Sequence, residues 1–427
     1  MISVPSRVAR PTHRARGAVA LGAVIVGLTA ACARTTAGPA ATPVASPSVG
    51  ATSAPASAPE REYFAWVASE ATDRIALVRF GRAGGRVERE FTTGVMPADV
   101  DGPHGLAISP DRKHVYISTA HGTPFGYFWK YSVEGDSLLG RVQLGSFPAT
   151  AQITPDGAFA YVVNFNLHGE MVPSSVSIVS TDHMLEVARV QTCTMPHGSR
   201  INPQGTRHYS ACMMDDMIVE IDTRTLGAAR HFMVAPGKER GESGPPHRAG
   251  HQAAAGQAHG GQGMEPPRPG DPSASSGQAI GCSPTWAQPS ADGTRVYVAC
   301  NKSSDIAEID VARWALLRRI PAGPGVYNLA VTRDGRLLVG TNKRGQSVSV
   351  IDLASGKELA RIPTKRKVVH GAAISDDDRY AFVSVEGIGS EPGTVEVIDL
   401  RALRSVAQID VGQMAGGIDF WKAESAR

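Results

Sequence analysis

The chain has 427 residues, with 43 Lys and Arg against 40 Asp and Glu and a formal net charge of +3. Because both signs are mixed along the chain, its charge gives no support for a nucleic-acid partner or for direct binding to a membrane surface. Aromatic residues are only 6% of the chain, whereas 46 Gly and 29 Pro supply the turns that a protein of many short strands requires.

The first 32 residues have the pattern of an export signal. A basic segment with four arginines precedes an apolar run over residues 17–29, which is too short to span a membrane. The junction Leu28-Thr29-Ala30-Ala31-Cys32 resembles a bacterial lipobox, which implies cleavage before Cys32 and lipidation of that cysteine. Thr29 stands where a lipobox usually has Leu or Val, so ordinary cleavage near Ala33 is the alternative. Both outcomes predict an extracytoplasmic protein, either anchored to the membrane through its N-terminal lipid or periplasmic or secreted.

Two segments are predicted to be disordered. Residues 33–60 are almost entirely Ala, Thr, Pro and Ser, which cannot bury a core and therefore indicate a tether. Residues 237–281 are rich in Gly, Pro, Ala, Gln and Ser and have no apolar periodicity, which predicts a disordered insert in the folded domain. This insert carries His247, His251 and His259, and His-rich loops can bind metal, but a solvated spacer is favoured.

A repeated unit organises residues 61–422. Its first full copy, PHGLAISPDRKHVYIS at residues 103–118, has the pattern of a strand, a turn at Ser109-Pro110-Asp111 and a second strand. Related copies begin at residues 149, 197, 285, 327 and 370, and a truncated copy, GGIDFW, lies at 416–421. Equivalent positions are 42–48 residues apart, except for one interval of 88 that contains the insert. Such a period with several short strands per unit predicts a β-propeller.

The fold class that follows is all-β, a seven-bladed propeller of four-stranded antiparallel blades. The first folded segment, residues 63–67, matches the second strand of a blade and has no first strand before it. Residues 416–421 at the other end of the chain match that first strand. Pairing of the N- and C-terminal strands would close the ring and remove the exposed sheet edge.

The third strand of several blades ends in Asp, as in IVEID (218–222), IAEID (306–310), VSVID (348–352) and VEVID (395–399). With these strands, residues 62–422 resemble the YncE-like, YVTN-type family of bacterial extracytoplasmic propellers. The resemblance implies the fold. Relatives of this architecture include binding modules, lactonases and haem- or copper-bearing reductases, so the resemblance leaves the activity open.

Three histidines share one position of the repeat. Loops that enter first strands and loops that leave second strands should lie on one face of the ring, which we call the top face. His104, His197 and His370 are placed there in blades two, four and seven, and should therefore surround the axis. Neutral imidazoles are common ligands of zinc and copper, which predicts a metal site with an open position. His121 and His168, in loops that follow second strands, are reserve ligands.

Methionines near blade four favour copper over zinc, since thioethers bind Cu(I); they are Met195, Met213, Met214, Met217 and Met233. In the alternative, each histidine bonds a neighbouring backbone, the methionines fill the core, and the mouth of a seven-bladed ring is too wide for one ion. Further polar side chains are expected to line a ligand-binding rim on the same face, namely Glu70, Asn164, Tyr327, Asn342, Lys343 and Glu386.

Four cysteines follow Cys32, and four cysteines allow three pairings. Cys212 and Cys300 align as the last residues of second strands, and Cys193 and Cys282 precede the first strands of the same two blades. Because these strand ends are antiparallel neighbours, we expect disulfides Cys193–Cys212 and Cys282–Cys300, one inside each of two adjacent blades. A thiolate copper site that uses Cys212 is the alternative.

The motifs leave open whether the chain is an enzyme, since it has no nucleophile elbow, phosphate-binding Gly loop, HExxH or CxxCH. The leading hypothesis is an exported, lipid-anchored monomer that binds a ligand, with copper or zinc as the expected cofactor, at the mouth of its channel. One alternative is a metal-free scaffold with a protein partner on the top face. Another is a lactonase-like hydrolase that uses carboxylates such as Glu386 with His104 or His370.

Overall fold

The computed structural model describes residues 59–96, 99–121, 125–134, 137–246 and 281–426. The predicted export signal with Cys32, nearly all of the predicted tether and the three histidines of the predicted insert lie outside these residues. No helical turn in the described part of the chain has the length and hydropathy of a membrane-spanning helix.

Seven antiparallel sheets form the blades, which confirms the predicted fold class. Blade 1 combines β1 (Arg61–Ser69), β2 (Arg74–Gly81) and β3 (Gly84–Thr92) with the last strand of the chain. Blade 2 contains β4 (Pro103–Ile108), β5 (His114–Thr119), β6 (Tyr127–Ser132) and β7 (Leu138–Gln143). Blade 3 contains β8 (Pro148–Ile153), β9 (Phe159–Asn164), β10 (Pro173–Ser180) and β11 (Leu185–Thr194).

The remaining blades repeat this order. Blade 4 contains β12 (Pro196–Ile201), β13 (Arg207–Cys212), β14 (Met217–Asp222), β15 (Gly227–Met233) and β16 (Arg240–Ser243). Blade 5 contains β17 (Pro284–Pro289), β18 (Arg295–Cys300), β19 (Asp305–Asp310) and β20 (Ala315–Pro321). Blade 6 contains β21 (Val326–Val331), β22 (Leu337–Asn342), β23 (Ser347–Asp352) and β24 (Lys357–Pro363). Blade 7 contains β25 (Val369–Ile374), β26 (Tyr380–Val385), β27 (Gly393–Asp399) and β28 (Arg404–Val411), and the chain then returns to blade 1 as β29 (Ala415–Ser425).

The two ends of the chain close the ring. Strand β29 pairs antiparallel with β1, with Ala65 opposite Phe420 and Val67 opposite Ile418. The innermost strand of each blade also packs against the innermost strand of the next, from β4 round to β29 and back to β4. The predicted closure by the N- and C-terminal strands is therefore confirmed.

The turn that joins the first two strands is held by the same side-chain bond in five blades. A Ser or Thr hydroxyl donates to the Asp carboxylate two residues later, at 2.5–2.7 Å, in blades 2, 3, 5, 6 and 7. In blade 2 the same carboxylate of Asp111 accepts the backbone N–H of Lys113 at 3.0 Å. The short polar side chains thus add to the backbone hydrogen bonds of the turn, such as the 2.8 Å bond from the Arg112 N–H to the Ser109 carbonyl.

The hydrophobic core is distributed between neighbouring blades. Trp66 of blade 1 and Ile117 and Trp129 of blade 2 belong to one buried cluster and are at most 1% exposed. Each such cluster joins two sheets face to face. Truncating a buried aromatic residue in one of them should therefore cost about 3–5 kcal/mol of stability.

The predicted insert starts with a strand, so the expectation of disorder from residue 237 was wrong for its first part. Strand β16 pairs with β15, with Arg230 opposite Ser243, and adds a fifth strand to blade 4. A Cβ atom on Gly241 would lie 2.2 Å from the Trp314 ring, so this glycine lets the strand approach blade 5. Four residues without an apolar side chain give no periodic signal, which explains why the sequence did not reveal the strand.

Both predicted disulfides are present. Cys193 bonds Cys212 and Cys282 bonds Cys300, with Cα–Cα distances of 5.8 and 4.4 Å. The first bridge differs in its placement, because Cys193 lies in β11 and therefore ties blade 3 to blade 4. With its sulfur in a disulfide, Cys212 is no thiolate ligand. The two bridges indicate a non-reducing compartment.

Candidate metal centre

The three histidines that share a repeat position converge on the axis of the ring. His104, His197 and His370 each lie second in an innermost strand, β4, β12 and β25. One ring nitrogen from each lies within 4.8 Å of the other two. The ring centroids are 5.6–6.4 Å apart. The ring of seven blades is therefore narrow enough at this level to bring the three imidazoles together.

The glycine after each histidine explains how the strands approach so closely. A Cβ atom on Gly105 would lie 1.9 Å from the carbonyl oxygen of Ala149, and one on Gly198 would lie 2.2 Å from that of Thr285. Contacts this short are impossible for any residue with a side chain. The His-Gly pair thus combines a side chain at the axis with a backbone that touches the next blade.

Glu70 orients His104. Its Oε2 atom is 2.6 Å from Nδ1 of His104, and its Oε1 atom is 3.3 Å from Nε2 of His121. Burial alone would raise the pKa of Glu70. The hydrogen bond and electrostatic attraction of His104, with a smaller contribution from His121, outweigh burial and lower this pKa. The carboxylate thus holds the proton of His104 on Nδ1. Nε2 of His104 is buried without a hydrogen-bond partner among the described residues.

His197 is bonded on both sides. Its Nδ1–H donates to the carbonyl oxygen of Thr285 at 3.1 Å, and its Nε2 accepts from the Tyr327 hydroxyl at 2.9 Å. The residue is 0% exposed. Burial, with a smaller contribution from the nearby His104, lowers the pKa of His197 to about 3. The imidazole is therefore neutral, as a metal ligand must be.

His370 lies between a carboxylate and the axis. Its Nε2 is 3.8 Å from Oε1 of Glu386, and its Nδ1 is buried and without a partner among the described residues. Burial, together with the charge of Lys343 and the other two histidines, lowers the pKa of His370 well below its ordinary value. The ring is therefore also neutral.

Lys343 belongs to the same polar group. Its ammonium is 2.9 Å from Oε1 of Glu386 and 4.3 Å from the centre of the Tyr327 ring. Burial alone would lower the pKa of Lys343, but Tyr327 and Glu386 raise it above its ordinary value. Burial also raises the pKa of Tyr327, against the opposing charge of Lys343, so its phenol keeps the proton that it donates to His197.

The other predicted residues take different positions. The amides of Asn164 and Asn342 are buried inside their blades, where each donates to two serine hydroxyls, so the prediction that they line a rim was wrong. His168 is exposed, with its ring 5.5 Å from that of Phe147. His121 is linked to the site through Glu70, at 3.3 Å. Neither reserve histidine belongs to the cluster of three.

Three of the methionines that favoured copper pack against buried clusters. Met195 and Met213 pack against a small buried cluster that contains Phe147 and Phe165. Met217 packs in the core between blades 3 and 4, and Met214 is 56% exposed. The methionines therefore do not distinguish copper from zinc.

Sequence reasoning missed three residues directly below the histidines. Arg200, Trp286 and Asn328 line a cavity of about 30 Å³ in the channel, together with His104 and His370. Their positions in the repeat could have revealed them. Trp286 and Asn328 come one residue after the shared histidine position, and Arg200 comes three residues after His197, where other copies have Ala107, Ala330 or Ala373.

No family model and no curated protein matches the chain. Solved structures show the fold instead. The chain is similar to a periplasmic gluconolactonase, PpgL, from Pseudomonas aeruginosa, with a TM-score of 0.60 and 18% identity over 84% of this chain and 99% of that one. It is similar to a functionally unknown protein from Desulfotomaculum acetoxidans, with a TM-score of 0.59 and 15% identity over 84% and 99%. It is also similar to hydrazine synthase from Kuenenia stuttgartiensis, with a TM-score of 0.55 and 19% identity over 76% and 91%.

Proposed function

We propose that the protein binds one divalent transition metal ion, zinc or copper, through His104, His197 and His370. The observation that carries the proposal is the convergence of three ring nitrogens within 4.8 Å of one another on the axis. Imidazole nitrogen suits both metals, and a set of three leaves a coordination position open for a further ligand.

The surroundings of the rings support a metal. Metal-bound histidines almost always donate their second ring N–H to a carboxylate or a carbonyl oxygen. Here His104 faces Glu70 and His197 faces the Thr285 carbonyl in that manner. The buried Nε2 of His104 and Nδ1 of His370 have no partner among the described residues. Buried polar atoms without partners are unfavourable, so a cation that accepts their lone pairs would stabilise the fold.

Binding at His197 includes an exchange of partners. The Tyr327 hydroxyl occupies the lone pair of His197 Nε2, so the metal takes the place of that hydrogen bond. The positive charge of Lys343 next to the site is balanced by Glu386 at 2.9 Å. When bound, the metal supplies a Lewis-acidic centre with an open position.

A lactonase-like hydrolase is the second candidate, since the gluconolactonase from Pseudomonas aeruginosa has a similar fold. The cavity below the histidines has a volume of about 30 Å³, room for only a few atoms, so a sugar lactone would have to bind on the top face above them. Glu386 is moreover paired with Lys343 rather than free to act as a base. We therefore favour the metal site over lactone hydrolysis.

Export and lipid anchoring through Cys32 belong to the same proposal and are supported by the sequence of residues 1–32 and by the two disulfides. Membership of the YncE-like family stays a prediction.

If no metal binds, the alternative function is a metal-free interaction scaffold with a protein partner on the top face.

Elemental analysis of the full chain, purified after reconstitution with zinc or copper, tests the proposal. We expect about one metal ion per chain, lost in His104→Gln, His197→Gln and His370→Gln. His208→Gln is the matched control, because His208 is equally buried in blade 4 but lies outside the cluster. A parent protein without metal, or three variants with full metal content, would contradict the proposal.

A further inference from the structure

The small cavity under the three histidines has an unusual lining. Its volume is about 30 Å³, and a single water needs roughly 10–15 Å³ measured in this way, so it has room for two or three water-sized atoms. Four buried polar atoms that find no hydrogen-bond partner in the described part of the chain belong to residues that line it, namely His104 Nε2, His370 Nδ1, Trp286 Nε1 and Asn328 Oδ1. Trp286 and Asn328 are each only 3% exposed.

These polar atoms differ in their chemistry. In the neutral ring, whose Nδ1–H donates to Glu70, Nε2 of His104 presents a lone pair. The Trp286 indole N–H presents a hydrogen-bond donor and has no acceptor among the described residues. The amide of Asn328 can present its NH₂ group by a half-turn of the side chain. The histidine end thus suits a cation, and the Trp286 end suits an acceptor atom.

Arg200 adds a positive charge at the donor end. Its guanidinium lies over the Trp286 ring, with 4.3 Å between its central carbon and the ring centre. The residue lies deep in the fold, yet its side chain keeps accessible surface because it faces the cavity. Burial lowers the pKa of Arg200 to about 10, with Asp419 opposing the shift, so the group stays charged at neutral pH.

The charge of Arg200 is incompletely balanced. Within the described residues, the side chain makes one hydrogen bond, to the Ser199 carbonyl at 2.9 Å, and forms no ion pair. Asp419 is the carboxylate whose charge acts on Arg200, and its two oxygens already accept the backbone N–H groups of Ile108 and Phe420, both at 2.9 Å. Most of the five guanidinium donors of Arg200 therefore remain available for a ligand.

We propose that this cavity binds a small inorganic anion of about three heavy atoms, which reaches the open position of the metal from below and is held by Arg200, Trp286 and Asn328. The proposal rests on the proposed metal site, because Glu70, Glu386 and Asp419 oppose an anion and a divalent cation offsets them. The ligand class follows from the donors at one end, the cation at the other and the volume between them.

The test uses the indole N–H resonance of Trp286 in the full chain labelled with ¹⁵N-tryptophan, with and without one equivalent of zinc. Azide and nitrite are the probes, titrated at constant ionic strength, and Trp286→Phe identifies the signal. Trp314 is an internal control, since its indole N–H is bonded to the His231 carbonyl at 2.8 Å, away from the cavity. We expect a saturable shift of the Trp286 signal in the zinc-loaded protein and none for Trp314.

Arg200→Met should weaken azide binding at least tenfold without changing the zinc content. Arg230→Met is the matched control, because Arg230 also lies over a tryptophan ring, Trp314, at 3.9 Å. Equal azide affinity in Arg200→Met and the parent would overturn the proposal, as would the absence of a shift in both zinc-loaded and zinc-free protein. Should Arg200→Met fail to fold, the titration of the unmodified chain still decides.

The two proposals fail separately. Zinc bound without an azide-dependent shift leaves the metal site and removes the anion site. A shift of the Trp286 signal in a protein that binds no zinc removes the metal site and leaves an anion site that depends on Arg200 alone.

Discussion

Glu70 connects the proposed metal centre to the fold without itself being a ligand. Its carboxylate accepts from His104 Nδ1 at 2.6 Å, and only about a tenth of its surface is exposed. Removing such a carboxylate partner of a metal-bound histidine typically weakens metal affinity 10–100-fold. We therefore expect Glu70→Gln to bind zinc more weakly by that factor, measured by competition with a chelator of known affinity.

Glu186→Gln is the control for this prediction, because Glu186 is a carboxylate of the outer strand of blade 3 that pairs with Arg189, away from the histidines. An unchanged zinc affinity in Glu70→Gln would show that Glu70 does not support a metal ligand.

His208 makes stability sensitive to acid. Both of its ring nitrogens are buried without partners among the described residues, and its ring stacks on Tyr161 with 4.9 Å between centres. Burial, with the charge of Arg200, lowers the pKa of His208 to about 3. In the unfolded chain it titrates near 6.5, so the free energy of unfolding is at its full value above pH 6.5 and falls as the pH drops from there toward 3.

We expect His208→Phe to reduce this loss by about 1.4 kcal/mol per pH unit below pH 6.5, since one proton less binds on unfolding. Urea midpoints of the parent and the variant at several pH values between about 4 and 7 measure the slope. Parallel curves for the two proteins would refute the assignment. The same lowering of pKa keeps His197 and His370 neutral.

The residues of the site could be predicted where the repeat fixes the direction of a side chain. His104, His197 and His370 share one strand position, so their convergence follows from the alignment of the copies. Asn164 and Asn342 lie at the ends of second strands. Side chains alternate in direction along a strand, so a residue at this point faces either the interior of its blade or the rim. A one-residue difference reverses that direction, so their burial could not be read from the sequence.

At the scale of the strand, Gly198 is the clearest case of a backbone requirement. A Cβ atom there would lie 2.2 Å from both the Thr285 carbonyl oxygen and the Trp286 ring. Gly198→Ala should therefore lower the free energy of unfolding by about 2 kcal/mol or more. The control is Gly227→Ala, because a Cβ atom on Gly227 has no contact shorter than 3.9 Å. Equal urea midpoints for the two variants would contradict the close approach of blades 4 and 5.

The elements that the sequence missed are those without a periodic signal. The turns between first and second strands were predictable because Ser or Thr, Asp and Gly recur at fixed offsets. Strand β16 was not predictable, because it forms by backbone pairing with the edge of β15 and has no pattern of side chains of its own. The disulfide partners were predictable from the repeat, but the length of β11, which carries Cys193 in blade 3, was not.

For the whole molecule, closure depends on the eleven residues of strand β29, Ala415–Ser425. Strand β29 is the innermost strand of blade 1 and also contacts β4 and β25. Deleting residues 415–427 should open the ring and abolish cooperative thermal unfolding of the remaining blades, since their edges lose their partners. Deleting only residues 426–427, which follow β29, should leave the transition unchanged. A cooperative transition in the longer deletion would show that closure is dispensable.

The ring also explains why a site forms on the axis. Each blade contributes one innermost strand, and seven copies of one position meet there, of which three are histidines. The cluster therefore depends on blades far apart in the sequence. It is a property of the closed ring, and any change that opens the ring should also release the metal.

Anomalous X-ray diffraction from crystals of the full chain soaked in zinc, with data on both sides of the zinc absorption edge, tests the central claim most directly. We predict one strong peak on the channel axis, about 2.0–2.1 Å from a ring nitrogen of each of His104, His197 and His370. The peak should be absent in His370→Gln and present in His208→Gln. No peak at that position in the parent, or zinc bound only at surface carboxylates, would contradict the account.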